Sequence, residues 1–540
     1  MFSVGHHLDG AGRRSVDIPA ITDLLSRSYQ AYEPRLAVVD SHGVLTFGEL
    51  AEAVRRVAAG LVELGCTPGN RIAIAASNRT EWTVVEHAAY FSGLVRIGLL
   101  MRLHVEEMAQ ILADAEPTVV VAEGKWLDET GIAWLPSSVR AIVSIGPSAH
   151  ATVTYDELLA RPAPASLPNP KPEDDTLFYY TSGSTGTPKG VQHTGLAVGA
   201  MVRNLLEEMP DIGPGDVVLH SAPLSHFSGC VGTAVLAAGG ANLLAATFDV
   251  DRILAAIDES RASVLVLVPT QLNMLTAEVL RRRRDGREVR TQSLKAIIYS
   301  GSAIAPDRAR DAQDAFGQIL IQFYGASEAP LPLTALHPAD HSADIVDSGG
   351  LSRLASAGRP TAHVELRIVD LDGQESPADQ PGDIQVRGEQ TMRGYWRRPD
   401  ATAEVVDAAG WITTGDIGYL SREGYLYIVD RKKDMIVTGG FNVYPREVEN
   451  TIARLPGVRD VAVVGAPSEK WGEEVAAFVI ADTGTPLTSA AIVEHCRSSI
   501  AGYKVPKQVH LVASFPTTPS GKVKKRVLAD QLWAGQARRV

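Results

Sequence analysis

The chain is poor in cysteine, in aromatic residues, in basic charge and in unbroken apolar sequence. Its three cysteines, Cys66, Cys230 and Cys496, show no Cys-x-x-Cys spacing and no histidine partner pattern. That excludes a disulfide scaffold and a zinc module, and an odd count fits a reducing, cytoplasmic setting. The longest apolar stretch, 231–246, is interrupted by Gly232, Gly239, Gly240 and Asn242. It is too short and too broken to span a bilayer and reads as helix, turn and strand, so no transmembrane segment is expected. Residues 1–7 lack a charged segment leading into an apolar core, so no signal peptide is expected. A net charge of −12 argues against a nucleic-acid partner. The one basic run, the four arginines 281–284, is followed by Asp285 and Gly286 and reads as a solvated helix end.

What is present is an ordinary soluble composition on a chain of 540 residues, too long for one core, so at least two domains are expected. Apolar periodicities alternate between helix and strand. Thr46 and Glu49 form a capping box opening a helix with Leu50, Val54, Val57, Leu61 and Leu64 on one face, stopped at Gly65. Strands are expected at 71–75, 117–122 and 263–268; the last is apolar throughout, as in a parallel sheet covered by helices on both faces. The fold class is therefore α/β. Beyond about residue 365, short β-like runs (364–369, 382–387, 424–429) separated by charged turns suggest a small β-barrel. The charge run Asp430-Arg431-Lys432-Lys433-Asp434 then precedes a compact α+β unit. A charged linker between folded units can act as a hinge, so a boundary is expected between a domain at 1–432 and a smaller mobile one at 433–540.

The chemistry gathers first in Tyr179-Tyr180-Thr181-Ser182-Gly183-Ser184-Thr185-Gly186-Thr187-Pro188-Lys189-Gly190. An apolar strand enters a turn with three glycines, four hydroxyls and one ammonium, the makings of a phosphate cradle. It is not a P-loop of the G-x-x-x-x-G-K-[ST] form, because Lys189 follows Thr187-Pro188 and precedes Gly190. The order of residues resembles the phosphate loop of the adenylate-forming superfamily: acyl-CoA synthetases, aryl-CoA ligases, luciferases and stand-alone adenylation enzymes. Six further segments match that family in order.

Each match implies a role. Pro223-Leu224-Ser225-His226-Phe227-Ser228-Gly229 corresponds to a segment lining the carboxylate pocket, with His226 as its functional side chain and Phe227 and Ser228 beside it. Amino-acid-activating relatives usually carry an aspartate there; its absence favours an acid without an α-amine. Ser300, Gly301, Ser302 and Ala303, behind the strand 296–298, correspond to the wall shared by adenine and acyl group. Tyr324-Gly325-Ala326-Ser327-Glu328 resembles the family's Tyr-Gly-x-Thr-Glu: Tyr324 for adenine stacking, Gly325 and Ala326 for the pocket, Ser327 for phosphate, Glu328 for Mg²⁺. Asp416 and Arg431 match the ribose contacts, and Lys433 the hinge. Gly439 and Gly440 match the glycines that line the thiol path of coenzyme A. Lys522, in Pro-x-x-Pro-x-Gly-Lys, matches the adenylation lysine, although Lys524, Lys525 and Arg526 behind it also look like a basic tail. One departure stands out: 98–103 reads Gly-Leu-Leu-Met-Arg-Leu where relatives commonly have Pro-x-Asn-Pro.

The resemblance implies a two-step enzyme using ATP, Mg²⁺ and coenzyme A. Lys522, Glu328 and Lys189 would serve acyl-adenylate formation from a small carboxylic acid, fatty, aryl or alicyclic. The small and polar pocket residues lean towards a compact acid. The nearest alternative passes the adenylate to an acyl carrier protein, an amine or nitrite, and Gly439-Gly440 fits either pantetheine acceptor. A non-catalytic nucleotide-binding scaffold is disfavoured, because Lys522, Glu328, Asp416 and Lys189 are all present.

Overall fold

The computed structural model describes residues 19–540 except 165–167, 169, 183–187, 303, 343–344, 371, 440, 469, 483–485, 518–522 and 534–540; before residue 19 it describes only the strands His6–Leu8 and Arg14–Val16. The side chains of Ser182, Lys433 and Asn442 also lie outside the described set. The chain divides into two compact units. The first comprises Met1–Ala343, Ala357–Glu365 and Val386–Ile412; the second comprises Asp344–Ser356, Leu366–Gln385 and Thr413–Val540.

The first unit is built on two sheets with helices between successive strands. In the nine-stranded sheet, Val264–Leu267 lies between Val217–His220 and Ala296–Tyr299, parallel to both, and is buried at every position. That is why its sequence is apolar without alternation. The eight-stranded sheet carries Arg71–Ala75 and Val119–Glu123 as parallel neighbours, flanked by Val95–Gly98. The capping box forms as expected: Glu49 N donates to Thr46 Oγ1 at 3.3 Å and Thr46 N to Glu49 Oε2 at 2.8 Å. The helix it opens, Phe47–Glu63, buries Leu50, Val54, Val57 and Leu61. The broken apolar stretch resolves into the helix Phe227–Ala237 and the strand Ala241–Leu244. Among the described residues no helix is long and apolar enough to cross a membrane.

The arginine run ends the helix Pro269–Arg284, with Arg281 on Glu278 and Asp285, and Arg282 on Glu278 and Asp251. In the second unit, the strands expected for a small barrel form a four-stranded sheet that begins partly in the first unit's residues. Its order is Val364–Val369, Gly382–Gly388, Ile412–Leu420, Leu426–Arg431. A five-stranded sheet follows, centred on the hairpin Val458–Ser468 and Gly472–Ala481. One face packs Val448, Ile452, Val475 and Val479, and the other packs Phe478, Leu528 and Trp533. The residues behind Lys522 are no loose tail. Lys525 begins the helix Lys525–Leu532 and is ion-paired with Glu449 at 2.8 Å.

Candidate active site

The phosphate-cradle segment is a β-hairpin. Asp175–Ser182 runs antiparallel to Pro188–Thr194, with Thr181 opposite Lys189. Its connection, including Gly183, Ser184 and Thr185, lies outside the described residues. Gly190 faces Tyr180, and a Cβ on it would stand 2.9 Å from the tyrosine ring, so only glycine fits. Tyr180 is fixed by donating its hydroxyl to Asp114 Oδ2 at 2.8 Å.

Lys189 and Glu328 meet through a residue the sequence did not flag. Lys189 Nζ stands 4.9 Å from the ring centroid of Tyr395, and the Tyr395 hydroxyl donates to Glu328 Oε1 at 2.9 Å. Tyr395 belongs to the short strand Gly394–Tyr395, which adds to the hairpin at Val191. The chain around it is stitched to both sides: Trp396 N donates to Gly190 O at 2.7 Å, and Met392 N to Glu328 O at 2.8 Å. Glu328 offers one hard carboxylate, and among the described residues no group of three or more His, Cys, Asp or Glu gathers as a metal cage. That single carboxylate fits Mg²⁺, which takes one or two carboxylates and completes its shell with phosphate and water.

The Tyr324–Glu328 segment leaves the strand Leu320–Tyr324 and turns sharply. A Cβ on Gly325 would fall 2.5 Å from Leu331 N, so the turn depends on glycine there. Ala326 N donates to Ala329 O, closing the turn that carries Ser327 and Glu328. The Ser327 carbonyl accepts from His193 Nε2 at 2.8 Å. Burial lowers the His193 pKa to about 4, so the ring is neutral near pH 7 and carries its proton on the nitrogen facing the carbonyl.

His226 begins the helix Phe227–Ala237 and is half-buried, its Nδ1 2.8 Å from Ser225 Oγ and its ring 6.2 Å from that of Tyr179. Phe227 is likewise half-buried. Two expected pocket hydroxyls make hydrogen bonds within the fold: Ser228 Oγ lies 2.9 Å from His220 Nδ1, and Ser300 donates to Phe323 O at 2.7 Å. Both side chains are buried, so the hydroxyls answer interior polar groups. Gly301 takes φ +96° and, with Ser302, is exposed; Ala303 lies outside the described residues.

Beneath His226 lies a buried charge network that sequence reading also passed over. Arg96 Nε donates to Glu86 Oε1 at 2.7 Å, with Arg96 1% and Glu86 3% exposed. Tyr90 adds a 3.0 Å hydrogen bond to the same oxygen, the guanidinium lies 5.5 Å from the Tyr179 ring centre, and Nη1 reaches Ser225 O at 3.4 Å. Asn78 holds the preceding turn from both amide ends, donating to Ala222 O and accepting from Leu224 N, each at 2.9 Å. A charged residue inside the apolar strand Val95-Arg96-Ile97 is the signal that could have revealed the pair.

In the second unit, Asp416 and Arg431 sit opposite each other on paired strands, with Arg431 Nε 2.7 Å from Asp416 Oδ1. The backbone of Lys433 lies in the single turn Lys432–Asp434. Gly439 has φ +57°, and a Cβ on it would stand 2.7 Å from the Trp471 ring, so any side chain is excluded twice over. Gly440 and Lys522 lie outside the described residues. The ends of the Lys522 segment are described: Thr517 bridges Val523, and Lys524 N donates to Pro516 O at 2.7 Å.

The chain is 34% identical over 512 residues to a medium/long-chain-fatty-acid–CoA ligase of Mycobacterium tuberculosis, covering 92% of this chain and 87% of that one. It is 34% identical over 489 residues to a feruloyl-CoA synthase of Amycolatopsis, covering 90% and 94%. Among solved structures, the amide bond synthetase from Marinactinospora thermotolerans superposes with a TM-score of 0.84 at 31% identity, over 95% of this chain and 99% of that one. The model of the AMP-binding enzyme family matches residues 25–396, and that of the AMP-binding enzyme C-terminal domain matches 447–522. The protein therefore belongs to the AMP-binding enzyme family.

Proposed function

We propose that the protein is an ATP-dependent acid–CoA ligase acting on a fatty, aryl or alicyclic carboxylic acid. The observation that carries this reading is the joining of Lys189 and Glu328 through Tyr395 at the hairpin, which puts a cation and a carboxylate on one ring and supports a polyphosphate site. The names of the two CoA-ligase relatives point the same way. In the first step an oxygen of the acid attacks the α-phosphorus of ATP, the bond to the β-phosphate bridging oxygen breaks, and pyrophosphate leaves. In the second the coenzyme A sulfur attacks the acyl carbon, the thiol proton is lost, and AMP leaves.

Both reactants of the first step are anions, so the residues must neutralise charge and align the attack. Lys189 holds the departing phosphates, and Lys522 bridges the attacking carboxylate and the α-phosphate. Mg²⁺, held by Glu328, would supply further charge neutralisation at the phosphates. His226 and Phe227 line the acid site, Tyr324 and the 300–303 segment take adenine, and Asp416 with Arg431 takes the ribose. Movement about Lys433 withdraws Lys522 and brings in Gly439 and Gly440 for the thiol. The enzyme works in the cytoplasm, in keeping with three buried, unpaired cysteines.

A second reading, transfer of the acyl group to an amine, is favoured by the similarity to the amide bond synthetase. Acid-dependent exchange of labelled pyrophosphate into ATP tests the step common to both readings. Exchange that needs a carboxylic acid supports adenylation; exchange absent with every acid class rules it out.

The ribose assignment carries its own expected result. A carboxylate bonded to two hydroxyls contributes about 1.5–3 kcal/mol per hydrogen bond. Asp416→Asn should therefore raise the KM for ATP by roughly 10–100-fold. The difference from the unaltered enzyme should largely vanish with an ATP analogue lacking both ribose hydroxyls. A penalty that persists with the analogue would remove Asp416 from the ribose site.

A further inference from the structure

We infer that Tyr395 is a positioning residue for the metal–polyphosphate complex, its hydroxyl orienting the Glu328 carboxylate and its ring seating the Lys189 ammonium. This rests on the reading of Glu328 and Lys189 as phosphate-side groups.

The geometry is specific. One side chain makes both contacts, a 2.9 Å hydrogen bond to Glu328 Oε1 and a cation–ring approach of 4.9 Å from Lys189 Nζ. Its own place is fixed independently. The Tyr395 amide donates to Thr402 Oγ1 at 2.9 Å, Val191 is its strand partner, and the next residue, Trp396, sets its ring 5.3 Å from that of Phe178. A tyrosine hydroxyl facing a carboxylate is the donor of the pair, since an ionised carboxylate only accepts. With its proton given to Oε1, the hydroxyl limits rotation of the carboxylate and leaves Oε2 as the oxygen offered outward. A partner that orients a ligating carboxylate tunes metal affinity without touching the metal. The ring does the equivalent for Lys189, a flexible side chain whose ammonium would otherwise sample many rotamers.

The two contacts can be separated by substitution. Tyr395→Phe keeps the ring under Lys189 and deletes the hydrogen bond. Tyr395→Leu deletes both. Binding of Mn²⁺·ATP, followed by water-proton relaxation, and of metal-free ATP, followed by calorimetry, reads the two effects apart from turnover. Tyr395→Phe should weaken Mn²⁺·ATP about tenfold and leave metal-free ATP unchanged. Tyr395→Leu should weaken both. A Tyr395→Phe enzyme that binds Mn²⁺·ATP as the unaltered protein does, or that loses both ligands equally, overturns the inference. The underlying reading fails in a different way: the unaltered protein would then bind Mn²⁺·ATP no better than metal-free ATP and would show no acid-dependent exchange.

Discussion

Lys522→Ala should lower acid-dependent pyrophosphate–ATP exchange by about 10²–10³-fold, the usual effect of removing one aimed charge from a developing anion. Thioester formation from preformed acyl adenylate and coenzyme A should fall by less than about threefold in the same variant. The difference follows from where charge accumulates. When the acid attacks, two anions share the space around the α-phosphorus, and a compact ammonium between them offsets their repulsion. In the second step the attacking sulfur meets a neutral acyl carbon, and that bridge is no longer needed. Lys525→Ala is the informative neighbour. Lys525 is half-buried; burial lowers its pKa, but Glu449 and Asp430 outweigh that and hold it raised, so it stays charged as an anchor for the helix Lys525–Leu532. Its loss should lower the melting temperature, whereas Lys522→Ala should leave it unchanged. Equal loss of both half-reactions in Lys522→Ala would contradict the division of labour.

Glu86→Leu should destabilise the first unit by about 3–5 kcal/mol, because it strands the Arg96 guanidinium in the interior. In a body of this size that is a fall on the order of 10 °C in melting temperature. A guanidinium keeps its proton near neutral pH even when buried, so the group cannot escape by losing it. The combined variant Glu86→Leu with Arg96→Met should recover most of the loss, since a buried pair gives little net stability over apolar residues of similar size. Its catalytic behaviour is the more telling part. Arg96 touches the Ser225 carbonyl and lies over Tyr179, whose ring faces His226. A stable double variant with a raised KM for the acid and an unchanged KM for ATP would place the pair as support for the acid site. A double variant as unstable as Glu86→Leu alone would contradict the account of the pair.

Much of the fold was legible because its elements carry local signatures. The Thr46–Glu49 box, the unbroken apolar strand Val264–Leu267 and the helix-turn-strand of 231–246 each follow from side chains within a few residues of one another. The hairpin of Asp175–Ser182 and Pro188–Thr194 stood out for the same reason, as its glycines, hydroxyls and lysine lie in one run. Contacts made across the chain were not. Tyr395 lies 67 residues from Glu328 along the chain, and nothing near Gly394-Tyr395-Trp396 marks it as a partner of a carboxylate. The partners of Ser228 and Ser300 were not legible either, because a hydroxyl in a motif looks free until the histidine or carbonyl that takes it comes into place. Lys525 looked like part of a solvated tail because Glu449, its partner, stands on a separate helix, Pro445–Ala453.

The most direct test of the ligase reading is mass spectrometry of the products from purified protein, MgATP and pooled fatty, benzoic, cinnamic and alicyclic acids, with and without coenzyme A. An acyl-CoA accompanied by an equal amount of AMP, formed only when coenzyme A is present, is the predicted result and would also name the acid class. AMP or acyl adenylate accumulating equally with and without coenzyme A, with no thioester, would contradict it.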